Sequence, residues 1–294
     1  MDTPISKTWR IIDVLKWSKA YLSSKGVESP QVEAEWMLRE ILNCSRIDIY
    51  LNHDQALTAE NLAAFKKILI ERVSGKPLQY VLGYTEFMGL KILVNQHVLI
   101  PRQETEVIVE YLRSFLSQNK NSTSRILDVG TGSGCIAISL AVHCSDCELV
   151  AVDISSEALK IARENARLNN VDDRIKFIKK NILTEMPGNR LFNVIVSNPP
   201  YVSGEWWENI SESVKNYEPE IALYPGKDPL VFYKRLAELA VSNLEPDGIL
   251  AVEIGGNYQE NDVKSVIAEK GLQDFEVIQD YLGQSRGIIA RLKK

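Results

Sequence analysis

The stretch Ile126-Leu-Asp-Val-Gly-Thr-Gly-Ser-Gly134 passes from a short, mostly apolar run into a turn that contains three glycines. The run has the length and composition of a buried strand, and the apolar residues after the turn predict a helix at Cys135–Val142. Glycines let a ligand approach the backbone closely, because no side chain stands in the way. The stretch therefore predicts the first strand of an open α/β sheet, with a ligand site at the carboxyl end of that strand.

The residues that follow this stretch alternate between short apolar runs and longer segments with helical spacing. Further strands are predicted at Glu148–Val152, Ile175–Ile178, Phe192–Val196, Gly248–Ile254, Phe275–Ile278 and Ile288–Leu292. Further helices are predicted at Ser155–Asn169 with Ser155 or Ser156 as cap, at Pro229–Asn243 with Asp228 as cap, and at Gln259–Lys270. This alternation is typical of an α/β fold with a doubly wound, mostly parallel sheet and helices on both faces.

A second feature, Asn198-Pro-Pro-Tyr201, comes directly after the predicted strand Phe192–Val196. Proline has no N–H and a fixed φ, so Pro199 and Pro200 end the strand and stiffen the loop. Such a loop would hold the Asn198 carboxamide and the Tyr201 ring at the carboxyl end of a strand, where open α/β sheets bind ligands. The alternative is an ordinary turn in which Asn caps and Pro terminates.

Three of these features lie at carboxyl ends of strands that would converge on one crevice of a doubly wound sheet: the glycine loop, Asp153 and Asn198. An acid at the end of the second strand can accept two hydrogen bonds from a ribose diol, and Asp153 lies about 23 residues after Gly130, in the usual range for that role. The spacing Gly-x-Gly-x-Gly suits a nucleoside better than a pyrophosphate. Glycines that serve only helix–strand packing, and an Asp153 that serves only as a helix cap, are the structural alternatives.

The residues before this α/β region show helical spacing without the alternating strands. Helical spacing over Trp9–Trp17, Gln31–Leu42 and Thr58–Arg72, with Thr58 as an N-cap, predicts a small helical bundle. Residues 74–106 then predict a connector that contains a β-hairpin, with a strand at Phe87–Val94, before a helix that starts near Glu104. We therefore expect a helical domain at 1–73, a connector with a β-hairpin at 74–106 and an α/β domain at 107–294. The polar segment Gln118–Ser124 is expected to be a loop.

Composition narrows the class of protein. The 294 residues are 45% hydrophobic and 25% charged, as in a soluble globular protein, and no apolar run is long enough for a membrane span. The net charge of −5 argues weakly against a general nucleic-acid binder. Four cysteines and no recognisable export signal indicate reduced thiols in the cytoplasm. Cys144 and Cys147 have C-x-x-C spacing, but without a second pair no metal site is predicted.

These residues resemble those of class I S-adenosylmethionine-dependent methyltransferases. Asp128–Gly134 resembles the loop on the methionine side of the cofactor, and Val152-Asp153 resembles the ribose-binding end of the second strand. Asn198-Pro-Pro-Tyr201 is similar to the signature of enzymes that methylate a planar nitrogen. The resemblance implies S-adenosyl-L-methionine as cofactor, bound by Gly130, Thr131, Gly132, Ser133, Gly134, Asp153, Ile182 and Asn198. It also implies Asn198, Pro199 and Tyr201 as catalytic residues, and Asn198, Pro199, Pro200 and Tyr201 as the substrate site.

A narrower resemblance rests on Gly75–Gly83, Val98–Glu106 and Tyr217–Leu223, together with Glu253-Ile-Gly255 and Gly283–Arg286. These segments resemble the peptide chain release factor glutamine N5-methyltransferases, the HemK/PrmC family, over almost the whole chain. Membership implies methylation of the glutamine in the Gly-Gly-Gln loop of a release factor, with the helical domain helping to hold that factor.

The chain departs from the family pattern at a few positions. Gln103 stands where the family usually has Pro, Asn181 where it usually has Asp, and Ile182 where a larger residue is common. Asn181 can still form a hydrogen bond with adenine, so that departure affects only the detail of the adenine contact, and Ile182 would flank the adenine ring.

Other functions remain open at this stage. A nucleic-acid amino methyltransferase, acting on adenine N6 or guanine N2, would use the same Asn-Pro-Pro-aromatic chemistry but would need to present an unstacked base. A non-catalytic S-adenosylmethionine-binding protein and a nicotinamide oxidoreductase are the alternatives from other classes. We expect neither direct nucleic-acid binding nor membrane association. The sequence does not specify the oligomeric state, and a monomer is expected.

Overall fold

A computed structural model of the protein describes residues 8–118, 123–186, 188 and 190–292. The polar loop predicted at Gln118–Ser124 lies mostly outside these residues. The chain divides into two compact units, Met1–Leu82 and Gly83–Lys294. The division between units thus follows Leu82, whereas the sequence-based division into three parts at residues 73 and 106 stays a prediction.

The first unit is helical. Its helices are α1 (Ile11–Ser24), α2 (Pro30–Leu42), α3 (Arg46–Leu51), α4 (Ala59–Val73) and α5 (Leu78–Leu82). Their apolar faces meet in one core, in which Leu22, Met37 and Leu38 are completely buried. The three predicted helices are confirmed, and the Thr58 hydroxyl accepts a hydrogen bond from the Asn61 N–H at 3.2 Å, as expected of an N-cap. Helix α3 was not predicted, because its six residues are too few for a periodic pattern.

The second unit opens with a short hairpin. Strands β1 (Tyr84–Phe87) and β2 (Leu90–Leu93) pair antiparallel, with Phe87 opposite Leu90. The turn consists of Met88 and Gly89, whose φ angles of 51° and 74° are both positive, as a two-residue hairpin loop requires. The prediction of one strand over Phe87–Val94 is therefore wrong. Methionine rarely adopts a positive φ, so the sequence carried only half of the usual turn signal.

The rest of the second unit is an α/β sandwich. Its helices are α6 (Gln103–Gln118), α7 (Cys135–His143), α8 (Ser156–Leu168), α9 (Gly204–Asn209), α10 (Glu212–Tyr217), α11 (Val231–Asn243) and α12 (Glu260–Glu269). Its strands are β3 (Ser124–Val129), β4 (Cys147–Asp153), β5 (Ile175–Lys179), β6 (Phe192–Ser197), β7 (Leu244–Glu253), β8 (Gln273–Gln279) and β9 (Ser285–Arg291). They form one seven-stranded sheet in the order β5-β4-β3-β6-β7-β9-β8.

The sheet confirms the predicted doubly wound, mostly parallel topology. Strands β5, β4, β3, β6 and β7 are parallel, and β9 and β8 are antiparallel at one edge. The order reverses beside β3, because the chain moves outward through β4 and β5 and then returns to place β6 on the other side of β3. This is the switch point at which ligands bind in such sheets.

Helices cover both faces of the sheet. Leu127 and Val129 share a core with residues of α11 and α12, whereas strand residues of opposite parity, such as Ile126 and Val194, are also completely buried. Because alternate strand residues point to opposite faces, both faces must be covered. This double burial explains why β3 and β6 read as nearly continuous apolar runs.

One predicted helix start was wrong. Helix α11 begins at Val231, and Leu230 occupies the cap position without a side-chain hydrogen bond. The Asp228 carboxylate instead accepts a hydrogen bond from the N–H of Leu230, two residues on, at 2.9 Å. Aspartate forms this local turn as readily as a helix cap, so the pattern Asp-Pro was ambiguous. Within the described ranges, no helix is both long and apolar enough to cross a bilayer.

Candidate functional site

The glycine loop after β3 is tied to the end of β4. The N–H groups of Gly130 and Thr131 both donate to the Val152 carbonyl, at 2.9 and 3.0 Å. Gly130 and Gly132 have φ angles of 72° and 55°, in the left-handed region that favours glycine. The loop therefore adopts a conformation that residues with side chains would resist, and its backbone lies against the next strand.

Asp153 holds this loop and the start of α8 through its two carboxylate oxygens. Oδ2 accepts from the Gly132 N–H and Oδ1 from the Ser155 N–H, each at 2.8 Å. Ser155 itself caps α8 by accepting from the Ala158 N–H at 3.1 Å. The helix thus has a cap other than Asp153. Burial raises the pKa of Asp153, and the backbone hydrogen bonds oppose that rise. Each oxygen retains a lone pair for a further donor such as a ribose hydroxyl.

The Asn198-Pro-Pro-Tyr201 loop is held at both ends by one buried carboxylate. The Asn198 amide nitrogen donates to the Thr105 hydroxyl at 3.2 Å, and that hydroxyl donates to Glu253 Oε2 at 2.6 Å. The Tyr201 hydroxyl donates to the other oxygen, Glu253 Oε1, at 3.2 Å. Glu253 is only 1% exposed, and burial raises its pKa to about 7.

These features surround one cavity of about 390 Å³, within the range of small-molecule sites. The predicted site residues that line it are Gly130, Thr131, Gly132, Ser133, Asp153, Ile182, Asn198, Pro199 and Pro200. The cavity lies at the carboxyl ends of β3, β4 and β6, so the three strand ends converge as expected from the sequence.

Two predicted site residues, Gly134 and Tyr201, are not among the described residues that line the cavity. Gly134 has a φ of 83°, and a Cβ there would come within 2.9 Å of Ile138 Cδ1 and 3.2 Å of Ala162 Cβ. Its position therefore serves the close packing of α7 on α8. The Tyr201 side chain is directed to Glu253, and its backbone carbonyl accepts from the Gln259 amide at 3.0 Å. Their roles in binding remain predictions.

One wall of the cavity comes from residues that the sequence did not single out. Glu218 is buried and accepts from the Ile100 N–H at 3.1 Å and from the Arg102 guanidinium at 2.6 Å. This ion pair joins the segment before α6 to the segment after α10. Both segments line the cavity, through Arg102, Ile221 and Tyr224 among others, and Thr105 in the first turn of α6 lines it too. The only sequence signal was that these segments belong to the stretches that resemble the family.

The adenine end of the predicted site consists of Asn181 and Ile182, which both line the cavity. Asn181 Oδ1 accepts from the Leu183 N–H at 3.1 Å, which fixes the orientation of the carboxamide. Ile182 is buried, and its carbonyl accepts from Arg235 Nε at 2.8 Å. Together with Asp153 and the glycine loop, an apolar side chain and an oriented amide at this end suit a nucleoside. The residues present thus fit the implied cofactor.

The C-x-x-C pair lies away from this cavity, at the end of α7 and the start of β4. Both thiols are free, and Cys147 is buried. A hydrogen bond from Cys147 lowers the pKa of Cys144 to about 7. In the described part of the chain, no group of three or more His, Cys, Asp or Glu side chains could hold a metal ion.

Comparisons with known proteins bear on the family and the fold of the chain. The family described as PrmC N-terminal domain matches residues 13–83, and the Methyltransferase small domain matches residues 104–216. A methyltransferase structure from Pyrococcus furiosus covers 70% of this chain and 90% of its own, with 22% identity and a TM-score of 0.51. That likeness concerns the fold alone, and it confirms the predicted class I methyltransferase fold.

Two curated relatives match over nearly their whole length. The release factor glutamine methyltransferase of Chlorobaculum tepidum is 35% identical over 291 residues, which cover 97% of this chain and 98% of the relative. That of Geobacter sulfurreducens is 37% identical over 284 residues, which cover 97% of each chain. At this identity and coverage, the chain belongs to the release factor glutamine methyltransferase family.

Proposed function

We propose that this protein transfers a methyl group from S-adenosyl-L-methionine to the side-chain amide nitrogen of a glutamine, the one in the Gly-Gly-Gln loop of a peptide chain release factor. One observation carries the proposal: the Asn198 carboxamide and the Asp153 carboxylate line the same cavity. The first can orient a planar amide, and the second can hold a ribose. The family to which the chain belongs supports a release factor as the substrate.

The chemistry requires help because an amide nitrogen is a poor nucleophile, its lone pair being delocalised into the carbonyl. S-adenosylmethionine supplies a methyl group on a positively charged sulfur. The protein must turn the nitrogen lone pair toward that methyl group and stabilise the positive charge that develops on nitrogen. Two fixed acceptors, one for each N–H of the target amide, would do both. A general base is not needed before transfer, since the extra proton leaves nitrogen after the new bond forms.

The proposed acceptors are the Asn198 side-chain oxygen and the Pro199 carbonyl. Because the Asn198 amide nitrogen donates to Thr105, the oxygen of the same carboxamide is the atom left for the substrate. Pro199 is buried and, like Pro200, lines the cavity. The two prolines make this loop stiff, so little reorganisation is needed when the target amide arrives. Tyr201 is proposed to bound the target site with its ring, while its hydroxyl stays on Glu253.

The cofactor residues are assigned by the same logic. Asp153 would accept hydrogen bonds from the ribose diol, and Gly130, Thr131, Gly132 and Ser133 would contact the methionine part through the backbone. Ile182 would pack against adenine. Gly134 is proposed to act indirectly, by allowing α7 and α8 to approach closely behind the loop.

The first 73 residues are proposed to recognise the release factor, as the helical domain of the sequence-based division. The match of residues 13–83 to the PrmC N-terminal domain supports this role. We also propose a cytoplasmic location and a monomeric state. Four free cysteines support the former, because oxidising compartments favour disulfides.

The test is transfer of labelled methyl from S-adenosylmethionine to a purified, unmethylated release factor, beside its Gly-Gly-Gln variant with Gln→Ala and beside unmethylated DNA and RNA. Label on the wild-type factor alone is the expected result. Label on nucleic acid would be consistent with the proposed role of Asn198 but would refute the release factor as the substrate. Cofactor binding without label on any of them would overturn the proposed reaction.

A further inference from the structure

We infer that Thr105 and Glu253 are positioning residues for the methyl transfer, because they determine which atom of the Asn198 carboxamide faces the substrate. The inference rests on the proposed function, in which the Asn198 oxygen accepts from the target amide. Neither residue carries chemistry itself. Their effect passes through the hydrogen bond between Thr105 and Asn198.

The direction of the hydrogen bonds follows from the chemistry of the three groups. An ionised carboxylate can only accept, so the Thr105 hydroxyl must give its single proton to Glu253 Oε2, at 2.6 Å. The hydroxyl oxygen then has only lone pairs to offer to Asn198, at 3.2 Å. The carboxamide must present its NH₂ group to those lone pairs. Its oxygen is consequently turned to the other side, as the substrate requires.

The hydrogen bonds from Asn198 to Thr105 and from Thr105 to Glu253 form a relay. Without this relay, the two orientations of the Asn198 carboxamide would differ little in energy. An amide has an acceptor and a donor at nearly the same distance from its axis, so a flipped Asn198 fills the same space. A flipped group would point N–H bonds at the N–H bonds of the target amide. That arrangement repels the substrate amide and cannot stabilise positive charge on its nitrogen.

The two residues that support Asn198 in this relay are buried inside the protein. Thr105 and Glu253 are 2% and 1% exposed, and they come from the first turn of α6 and the last residue of β7. Buried polar groups are retained where each has a partner, and here each has one. The Tyr201 hydroxyl occupies the second carboxylate oxygen at 3.2 Å, so Glu253 cannot turn away from Thr105 without losing both bonds.

The charged and titratable groups around Glu253 come from several parts of the fold, among them the Cys135 thiol at the start of α7. Glu104 lies on α6 and raises the pKa of Glu253, and Arg286 on β9 lowers it. Tyr201, in the loop after β6, donates to Oε1, and Tyr233 on α11 donates to the Glu253 backbone carbonyl at 2.9 Å. Because burial raises the pKa of Glu253 to about 7, experiments on the relay belong above neutral pH, where the carboxylate is ionised.

The test compares Thr105→Val, which removes the hydroxyl at constant shape, with Thr105→Ser, which restores it. Thr85→Val is the matched control, since Thr85 is also buried, at 5% exposure, and does not line the cavity. We expect Thr105→Val to lower kcat for release-factor methylation by about 10- to 100-fold, from lost preorganisation. KM and the cofactor dissociation constant should change less than threefold or so. Thr105→Ser should regain most of the lost kcat.

The outcomes separate this inference from the proposed function. If the wild type methylates no release factor, the proposed function fails. If the wild type and Thr105→Val have the same kcat, only the relay fails. Loss of cofactor binding in Thr105→Val would likewise overturn the relay. A loss of kcat in Thr105→Val no larger than the loss in Thr85→Val would also overturn it.

A second measurement needs no turnover. The side-chain amide signals of Asn198, identified as those missing from Asn198→Ala in asparagine-labelled protein, should show a nuclear Overhauser contact to Thr105. The contact should disappear in Thr105→Val, as the amide begins to sample both orientations. Absence of the contact in the wild type would overturn the inference, whether or not the enzyme is active and whether or not Thr105→Val folds.

Discussion

Replacement of Asn198 by alanine is the sharpest test of the proposed chemistry, because the structure allows its stability cost and its catalytic cost to be separated. Within the part of the chain that the structure describes, the side chain makes one hydrogen bond, to Thr105 at 3.2 Å. The Thr105 hydroxyl keeps its stronger bond to Glu253 at 2.6 Å, so no buried donor is left without a partner. We expect a loss of about 0.5–1.5 kcal/mol in the free energy of unfolding, the usual value for one such bond.

The catalytic loss should be larger. Removal of one preorganised polar group that stabilises developing charge typically lowers kcat by about 100- to 1000-fold, or about 2.7–4 kcal/mol. Asn198→Ala should therefore keep cofactor binding largely intact, by calorimetry, and methylate the release factor at least about 100-fold more slowly in single-turnover assays.

Asn193→Ala is the matched control for this substitution. Asn193 lies on β6, the strand that leads into Asn198, and among the described residues its side chain also makes one hydrogen bond, accepting from the Arg125 N–H at 2.8 Å. It does not line the cavity. The control should lose similar stability and keep its activity. If Asn198→Ala retains kcat within about fivefold of the control, Asn198 does not orient the target amide and the reasoning is refuted.

Three further predictions concern the cofactor site, the packing behind it and pH. Asp153→Ala should weaken cofactor binding by about 1–3 kcal/mol, or about 5- to 150-fold, through loss of charged hydrogen bonds; an unchanged dissociation constant by calorimetry would remove Asp153 from the site. Gly134→Ala should lower the free energy of unfolding in urea by about 2–4 kcal/mol, because a positive φ and close contacts with Ile138 and Ala162 act together. Gly283→Ala, with a similar φ of 75° and nothing within 4 Å, should lose only about 1–2 kcal/mol, and equal losses would contradict the packing role. Burial raises the pKa of Asp128 and Glu253 from 3.8 and 4.5 to about 7, so the folded state binds protons more tightly than the unfolded chain. The stability that these two groups contribute is present below their unfolded pKa and is lost as pH rises through about 7. Urea unfolding between about pH 5 and about pH 8 should show that decline in stability, and the decline should be smaller in Glu253→Gln.

Local patterns carried most of the secondary structure. The run Ile126–Val129 and the run Phe192–Val196 read as strands because both faces of β3 and β6 are buried. Thr58 and Ser155 were recognisable as helix caps, since their roles depend only on residues three positions away. The pattern failed where the local signal was incomplete, as at Met88-Gly89, or ambiguous, as at Asp228-Pro229.

The convergence of the glycine loop, Asp153 and Asn198 followed from topology alone. Parallel strands present their carboxyl ends at the same edge, and a sheet that reverses beside its first strand brings those ends around one crevice. Sequence reasoning could therefore name nine of the residues that line the cavity before the structure was known. Gly134 and Tyr201 are not among the described residues that line the cavity, and their roles in binding stay predictions. A residue within a motif can face the cavity or the packing behind it, and sequence spacing does not distinguish the two.

The sequence by itself determined the sheet, its ligand-binding edge and the family, because each depends on residues close together in the chain. Only the tertiary structure revealed Thr105 and Glu253, which are 148 residues apart and meet at 2.6 Å. A hydrogen bond between such distant residues leaves no periodicity or spacing in the chain. It exists because α6 packs on β7, which pairs with β6, and the burial of that contact is what turns an ordinary threonine and glutamate into the support for Asn198.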